Sequence, residues 1–213
     1  MFTSHFKKYI TSFIFPIILG LIIALFLRTY VIQTNLVSGP SMIPSFQNKD
    51  FLITDKLSYN FTTPKHGDVV IVKLVTKKET KYIIKRVIGT PGDVLDFVAP
   101  NEKNGYTPQF FINGKLQKED YIKESMDIPA DISYKVNKNE IFAMGDNRNN
   151  SSDSRVYGKF PYESVKGKVV LELRDKFQFH TNPTPYVLVF SFAVLLILIY
   201  LFFPFLTKLF KRK

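Results

Sequence analysis

The sequence predicts a mainly β domain, an antiparallel sheet or partly open barrel, flanked by one apolar helix on each side. Three observations carry this. Runs rich in β-branched residues recur between 51 and 173, each closed by a turn signal. An Asn113-Gly114 pair stands between apolar residues, the strongest short-range hairpin signal. Two apolar runs, 10–27 and 185–206, are long enough to cross a bilayer as helices.

In chain order, residues 1–9 form a short basic tail with Lys7 and Lys8. The run 10–27 reads as a retained anchor, because Arg28-Thr29-Tyr30-Val31-Ile32 behind it has no small-x-small cleavage site. Strands are expected at 51–54, 68–75, 80–88, 110–116 (as a hairpin), 140–144 and 166–173. The stretches 99–109 and 117–139 are polar and read as loops or hairpin insertions. The second apolar run precedes Lys208, Lys211, Arg212 and Lys213 in the basic tail 207–213. Basic residues at both outer ends place both termini in the cytoplasm and the domain 28–184 outside the cell membrane.

Net charge is +11 and hydrophobic residues make up 46% of the chain. The charge is scattered lysine, with no arginine stripe or aromatic-interleaved basic patch, so nucleic acid is not an expected partner. Membrane lipid is. With no cysteine there is no disulfide, thiolate nucleophile or zinc–thiolate site. The three histidines, His5, His66 and His180, are dispersed. No metal site and no cofactor is expected.

Three stretches could carry chemistry. In Val37-Ser38-Gly39-Pro40-Ser41-Met42-Ile43-Pro44, Gly39 can take a positive φ, Pro40 fixes its own φ, and Pro44 stops a helix from continuing. Ser41 is thereby presented on a bend. In Ile83-Ile84-Lys85-Arg86-Val87-Ile88, a lysine interrupts an apolar strand. A lysine at its usual pKa of about 10.4 is almost fully protonated at neutral pH. Burial, with Arg86 as a neighbouring like charge, favours the neutral amine, which could accept a proton from Ser41. His66, the one histidine within the domain that could serve instead, has no strand or helix to hold it. In Met144-Gly145-Asp146-Asn147-Arg148-Asn149-Asn150-Ser151-Ser152-Asp153-Ser154-Arg155, small hydrogen-bonding side chains crowd a loop able to hold a neighbouring group in place. It lacks the spacing and closing glutamate of a helix-loop-helix calcium site.

Taken together and in this order behind an N-terminal anchor, these stretches resemble the bacterial type I signal peptidases, membrane-bound Ser-Lys proteases. The likeness also covers Pro64-Lys65-His66-Gly67-Asp68-Val69-Val70 and Gly89-Thr90-Pro91-Gly92-Asp93. The resemblance implies a signal-peptidase-like fold, Ser41 as nucleophile and Lys85 as general base. It implies that Ser151 hydrogen-bonds the lysine amine, that Asp153 and Arg155 form a structural pair, and that Asp146 and Arg148 are further scaffold. The Ser41 amide would be one oxyanion donor. Some relatives place a second donor, a serine hydroxyl, where this chain has Gly39. Asn149 stands where many relatives have an acid. Family substrates are the signal peptides of exported preproteins, with small residues, usually Ala, at the first and third positions before the cut; Val37, Met42 and Ile84 are candidates to line the pockets that read them. Simple core packing is the competing reading for those three. Other readings of the whole chain are a self-cleaving repressor, a non-catalytic peptide-binding subunit and a peptidase dedicated to one pilus or biofilm substrate.

Overall fold

The computed structural model describes residues 14–173. A helix at Phe15–Phe26 continues into a π-helical turn at Leu27–Val31, and a strand follows at once. Apolar residues occupy the whole circumference of the helix and none is buried. Among the described residues no helix is long and apolar enough to cross a membrane. The expected two-span arrangement is therefore not supported here. The run 10–27 is described only from residue 14, and 185–206 lies outside the described residues.

The domain is antiparallel β throughout. Seven strands form the larger sheet in the order β1 (Ile32–Leu36), β2 (Phe51–Asp55), β11 (Val165–Leu173), β3 (Val69–Val75), β4 (Thr80–Gly89), β9 (Glu140–Met144) and β10 (Phe160–Pro161). Four more, β7 (Lys115–Leu116), β6 (Gln109–Ile112), β5 (Val94–Val98) and β8 (Ile132–Lys135), form the smaller one. The expected strands all appear within a residue or two of their predicted bounds. Asn113 and Gly114, both with positive φ, make the turn between β6 and β7. Four strands were not expected: β1, β5, β8 and the two-residue β10. Neither β1 nor β8 has a buried residue, and β5 follows the Pro91-Gly92 turn directly.

Why β3 is a continuous apolar run becomes clear from its two faces. Val69 and Ile71 enter one core cluster with Val37, Met42, Phe46, Leu52 and Ile84. Val70, Val72 and Leu74 enter another with Val87, Ile141, Ala143 and Phe160. A third cluster, including Ile88, Leu95, Phe97, Phe110, Phe142 and Met144, joins the two sheets. The β3–β4 register places Lys85 opposite Val70, next to the Ile71–Ile84 pair, so a lysine sits among apolar partners.

Candidate active site

Ser41 lies in the loop between β1 and β2. Hydrogen bonds at the loop's neck close it, from the Val37 N–H to the Asp50 carbonyl and from the Lys49 N–H to the Val37 carbonyl, each 2.9 Å. Gly39 has φ +91°, the conformation a glycine supplies cheaply. Its N–H donates to Asn48 Oδ1 at 3.1 Å. Met42, fully buried, roots the loop in the apolar cluster beneath it.

The structure brings Ser41 and Lys85, far apart in sequence, to a hydrogen bond of 2.8 Å between Nζ and Oγ. Lys85 is 3% exposed. Its Nζ also donates to the Ile84 carbonyl at 2.8 Å. Burial pushes the Lys85 amine down to about 8, against the opposing pull of the Asp153 and Asp146 carboxylates; Lys81 and Arg155 add to the lowering. The neighbouring Arg86 is balanced by its own partner, Asp146, through bonds of 2.8 and 2.6 Å.

Beyond β9 the loop 145–155 packs against this pair. Asp153 is fully buried. It accepts from the Gly145 N–H at 3.0 Å and from Arg155 Nε and Nη2 at 2.9 Å each. Burial alone would raise its pKa; the Arg155 guanidinium and the Gly145 amide outweigh that and hold it below the usual carboxylate value. Arg155 Nη2 also donates to the Arg148 carbonyl at 2.6 Å. Asp153 and Arg155 thus stand as an ion pair within this loop. The scaffold residues find partners the sequence did not suggest. Asp146 pairs with Arg86, while Arg148, 1% exposed, pairs with Glu119. Tyr121 lies between the two arginines, its ring centre 4.3 Å from the Arg86 guanidinium and 5.9 Å from that of Arg148. Asn149 ties down the segment before it, donating to the Ser125 carbonyl at 3.0 Å and accepting from the Asp127 N–H at 2.8 Å.

One expected contact is absent. Ser151 Oγ makes no hydrogen bond to Lys85; it lies by the Asp153 carboxylate and helps to hold that group's pKa down. The amine turns to Ser41 and to the carbonyl of its own preceding residue instead. Ser151 packs against Gly145, where a Cβ would also run into the Ser41 carbonyl. Val37, Met42 and Ile84 share one closed apolar cluster, the packing that the competing reading describes. His66 is engaged elsewhere, its Nε2 2.7 Å from Asp93 Oδ2. Among the described residues no group of side chains is arranged to hold a metal ion.

Two residues that reasoning from sequence passed over complete the site. Gly145 gives loop 145–155 its close approach to Ser41. Asn147 reaches two carbonyls of the nucleophile loop, through its Nδ2 to Pro40 and its own N–H to Ser41, both at 3.1 Å.

A hydroxyl hydrogen-bonded to a dry amine is an arrangement able to serve as nucleophile and base. Comparison with known proteins gives the arrangement a lineage. The family model described as signal peptidase, peptidase S26, matches residues 10–173. A signal peptidase I of Leptolyngbya laminosa is 32% identical over 162 residues, 72% of this chain and 74% of that protein. Signal peptidase I P of Bacillus subtilis subsp. natto is 35% identical over 158 residues, covering 70% and 80%. Mitochondrial inner membrane protease subunit 1 of Xenopus tropicalis is 31% identical over 144 residues, covering 68% and 70%. With a match that takes in the nucleophile loop, the lysine strand and the loop after β9, the chain belongs to the signal peptidase family, peptidase S26.

Proposed function

We propose that this chain is a signal peptidase, a serine endopeptidase that removes signal peptides from exported preproteins after small residues, with Ser41 as nucleophile and Lys85 as base. The observation that supports the reading most is the 2.8 Å contact between Ser41 Oγ and an almost wholly buried Lys85 Nζ. A neutral amine has two N–H groups and one lone pair. One N–H is occupied by the Ile84 carbonyl, which helps aim the lone pair at Ser41. Lys85 takes the serine proton as Oγ attacks the scissile carbonyl, then delivers it to the leaving amine. The acyl-enzyme is hydrolysed by a water that the same amine deprotonates. Ser151 Oγ, whose hydroxyl faces the Asp153 carboxylate, keeps a lone pair for the amine's second N–H. Val37 and Ile84 reach small substrate side chains only where the substrate displaces part of their closed cluster, and Met42, 0% exposed, packs beneath them.

The substrate binds extended, along sheet edges near Ser41. Purified protein should cleave a synthetic preprotein with an Ala-x-Ala end in detergent, and Ser41→Ala should lower the rate roughly 10⁴–10⁶-fold. Full activity in Ser41→Ala overturns the assignment. A non-catalytic subunit has no use for this pair, so it is the less supported reading.

The two apolar runs act as membrane anchors, the domain 28–184 lying outside the cell membrane and both termini in the cytoplasm. The helix Phe15–Phe26 favours this: it is apolar on all sides and exposed on the protein, as a helix solvated by lipid is. Protease added to intact cells stripped of wall should digest the β domain and spare tags on both termini. Loss of either tag disproves the two-span topology.

A further inference from the structure

We infer that Asn147 is a positioning residue for the oxyanion donor: by holding the carbonyls on either side of the Ser41 Cα, it fixes where the Ser41 N–H points. The inference rests on the Ser41–Lys85 reading above.

The geometry is that of two consecutive peptide planes. The C=O of Pro40 and the N–H of Ser41 belong to one trans peptide and point in opposite directions. Asn147 Nδ2 donates to the Pro40 carbonyl at 3.1 Å, and the Ile43 N–H donates to the same oxygen at 3.2 Å. That oxygen is held toward Asn147, so the Ser41 N–H is held away from it. The next peptide is fixed by the same residue, since the Asn147 N–H donates to the Ser41 carbonyl at 3.1 Å. With both planes held, φ and ψ of Ser41 have little freedom. The nucleophile's hydroxyl and its amide then keep a constant relation, which electrostatic stabilisation of a tetrahedral intermediate requires.

The chemistry of the Asn147 site points the same way. The residue is 2% exposed, and its Oδ1 has no hydrogen-bond partner. A buried amide that leaves its acceptor unused is a poor choice for packing. The useful half of this side chain is its NH₂, and that half is spent on Pro40. Because Gly39 brings no side-chain hydroxyl, the main-chain donor at Ser41 carries more of the stabilisation, and its aim matters more.

Asn147→Leu has nearly the same shape, keeps the backbone bond to the Ser41 carbonyl and removes only the side-chain donor. It should lower kcat by about 10–100-fold, less than loss of a donor outright. KM should stay within about threefold and the midpoint of the pH–rate profile should not move, because Lys85 is untouched. A peptide boronate, which forms a tetrahedral adduct on Ser41, should bind more weakly by about the same factor as kcat falls. Binding of an uncleaved peptide to the double variant Asn147→Leu, Ser41→Ala should match that to Ser41→Ala alone. An unchanged kcat, a loss confined to KM, or a shifted pH midpoint overturns the inference. If Asn147→Leu does not fold, Asn147→Asp serves. It sets a carboxylate oxygen against the Pro40 carbonyl and should lose boronate affinity in step with kcat; retained affinity overturns the inference. A Ser41→Ala enzyme that still cleaves would instead refute the reading on which the inference rests.

Discussion

Lys85→Met should abolish cleavage and, at pH 7, make the protein more stable. The loss of rate follows from the proposed role of Lys85 as the base. The gain follows from what holding the amine in the core costs. Burial brings Lys85 from its usual value of 10.5 down to about 8. Between those pH values the folded protein prefers the neutral amine while the unfolded chain keeps the proton. Folding stability therefore rises with pH from about 8 to 10.5 and is lost as pH falls toward 8. Below that, the folded state bears the full penalty of about 3 kcal/mol. Methionine has no charge to desolvate and similar length. It gives up hydrogen bonds to Ser41 and Ile84, each worth about 1 kcal/mol. The net expectation is about 1 kcal/mol of stabilisation at neutral pH, turning to a deficit above about pH 9. Chemical denaturation of both proteins across pH 6–10.5 checks it, and a difference independent of pH would show that the lysine is not strained. On the proposed mechanism the same shift sets the pH dependence of the unmodified enzyme. The base works only when deprotonated, so kcat/KM should climb about tenfold per pH unit and level off above about 8. His66→Ala should leave that profile in place.

What the sequence made legible follows the strength of each local signal. β3, β4 and β9 are buried on both faces or nearly so, and their β-branched runs stand out. The Asn113-Gly114 turn announces itself through backbone chemistry. β1 was hidden because Ile-Gln-Thr-Asn-Leu has no buried residue and follows directly on an apolar helix that dominates its neighbourhood. β8 was hidden inside a polar stretch because it lies at the edge of the smaller sheet. In the site, the serine and lysine could be read because their surroundings are odd for those residue types: a Gly-Pro bend and an apolar strand. Asp153 and Arg155 sit two residues apart, and the resemblance named them. Arg86–Asp146 and Arg148–Glu119 join residues far apart in sequence, and no local pattern chooses one acid among several. Gly145 and Asn147 are legible in position but not in role. Each acts on a carbonyl of the nucleophile loop, and that proximity exists only once β4 and β9 have paired.

Gly145→Ala should damage cleavage far more than it damages folding. The backbone there does not require a glycine, so the cost is steric. A Cβ at 145 would press on Ser151 Oγ and the Ser41 carbonyl oxygen, and would stand 2.6 Å from Ser151 Cβ. Two of these three are side-chain atoms. The Ser41 carbonyl is main chain, pinned by Asn147, and cannot retreat without rotating the peptide that follows the nucleophile. Gly89→Ala offers the contrast. Its Cβ would meet Leu95 Cδ1 at 2.8 Å and Val136 Cγ2 at 3.0 Å, the ends of side chains that can rotate, at a packing cost of about 1–3 kcal/mol. Gly145→Ala should cost a similar amount of stability and, unlike Gly89→Ala, at least about 100-fold in kcat, as expected when reacting groups are displaced by about 1 Å. The decisive variant is the double change Gly145→Ala, Ser151→Gly. It removes the serine side chain from the methyl group's path and leaves the Ser41 carbonyl in it. If the nucleophile loop is what the methyl group displaces, activity stays lost in the double variant; recovery to the level of Ser151→Gly alone would place the damage at Ser151 instead.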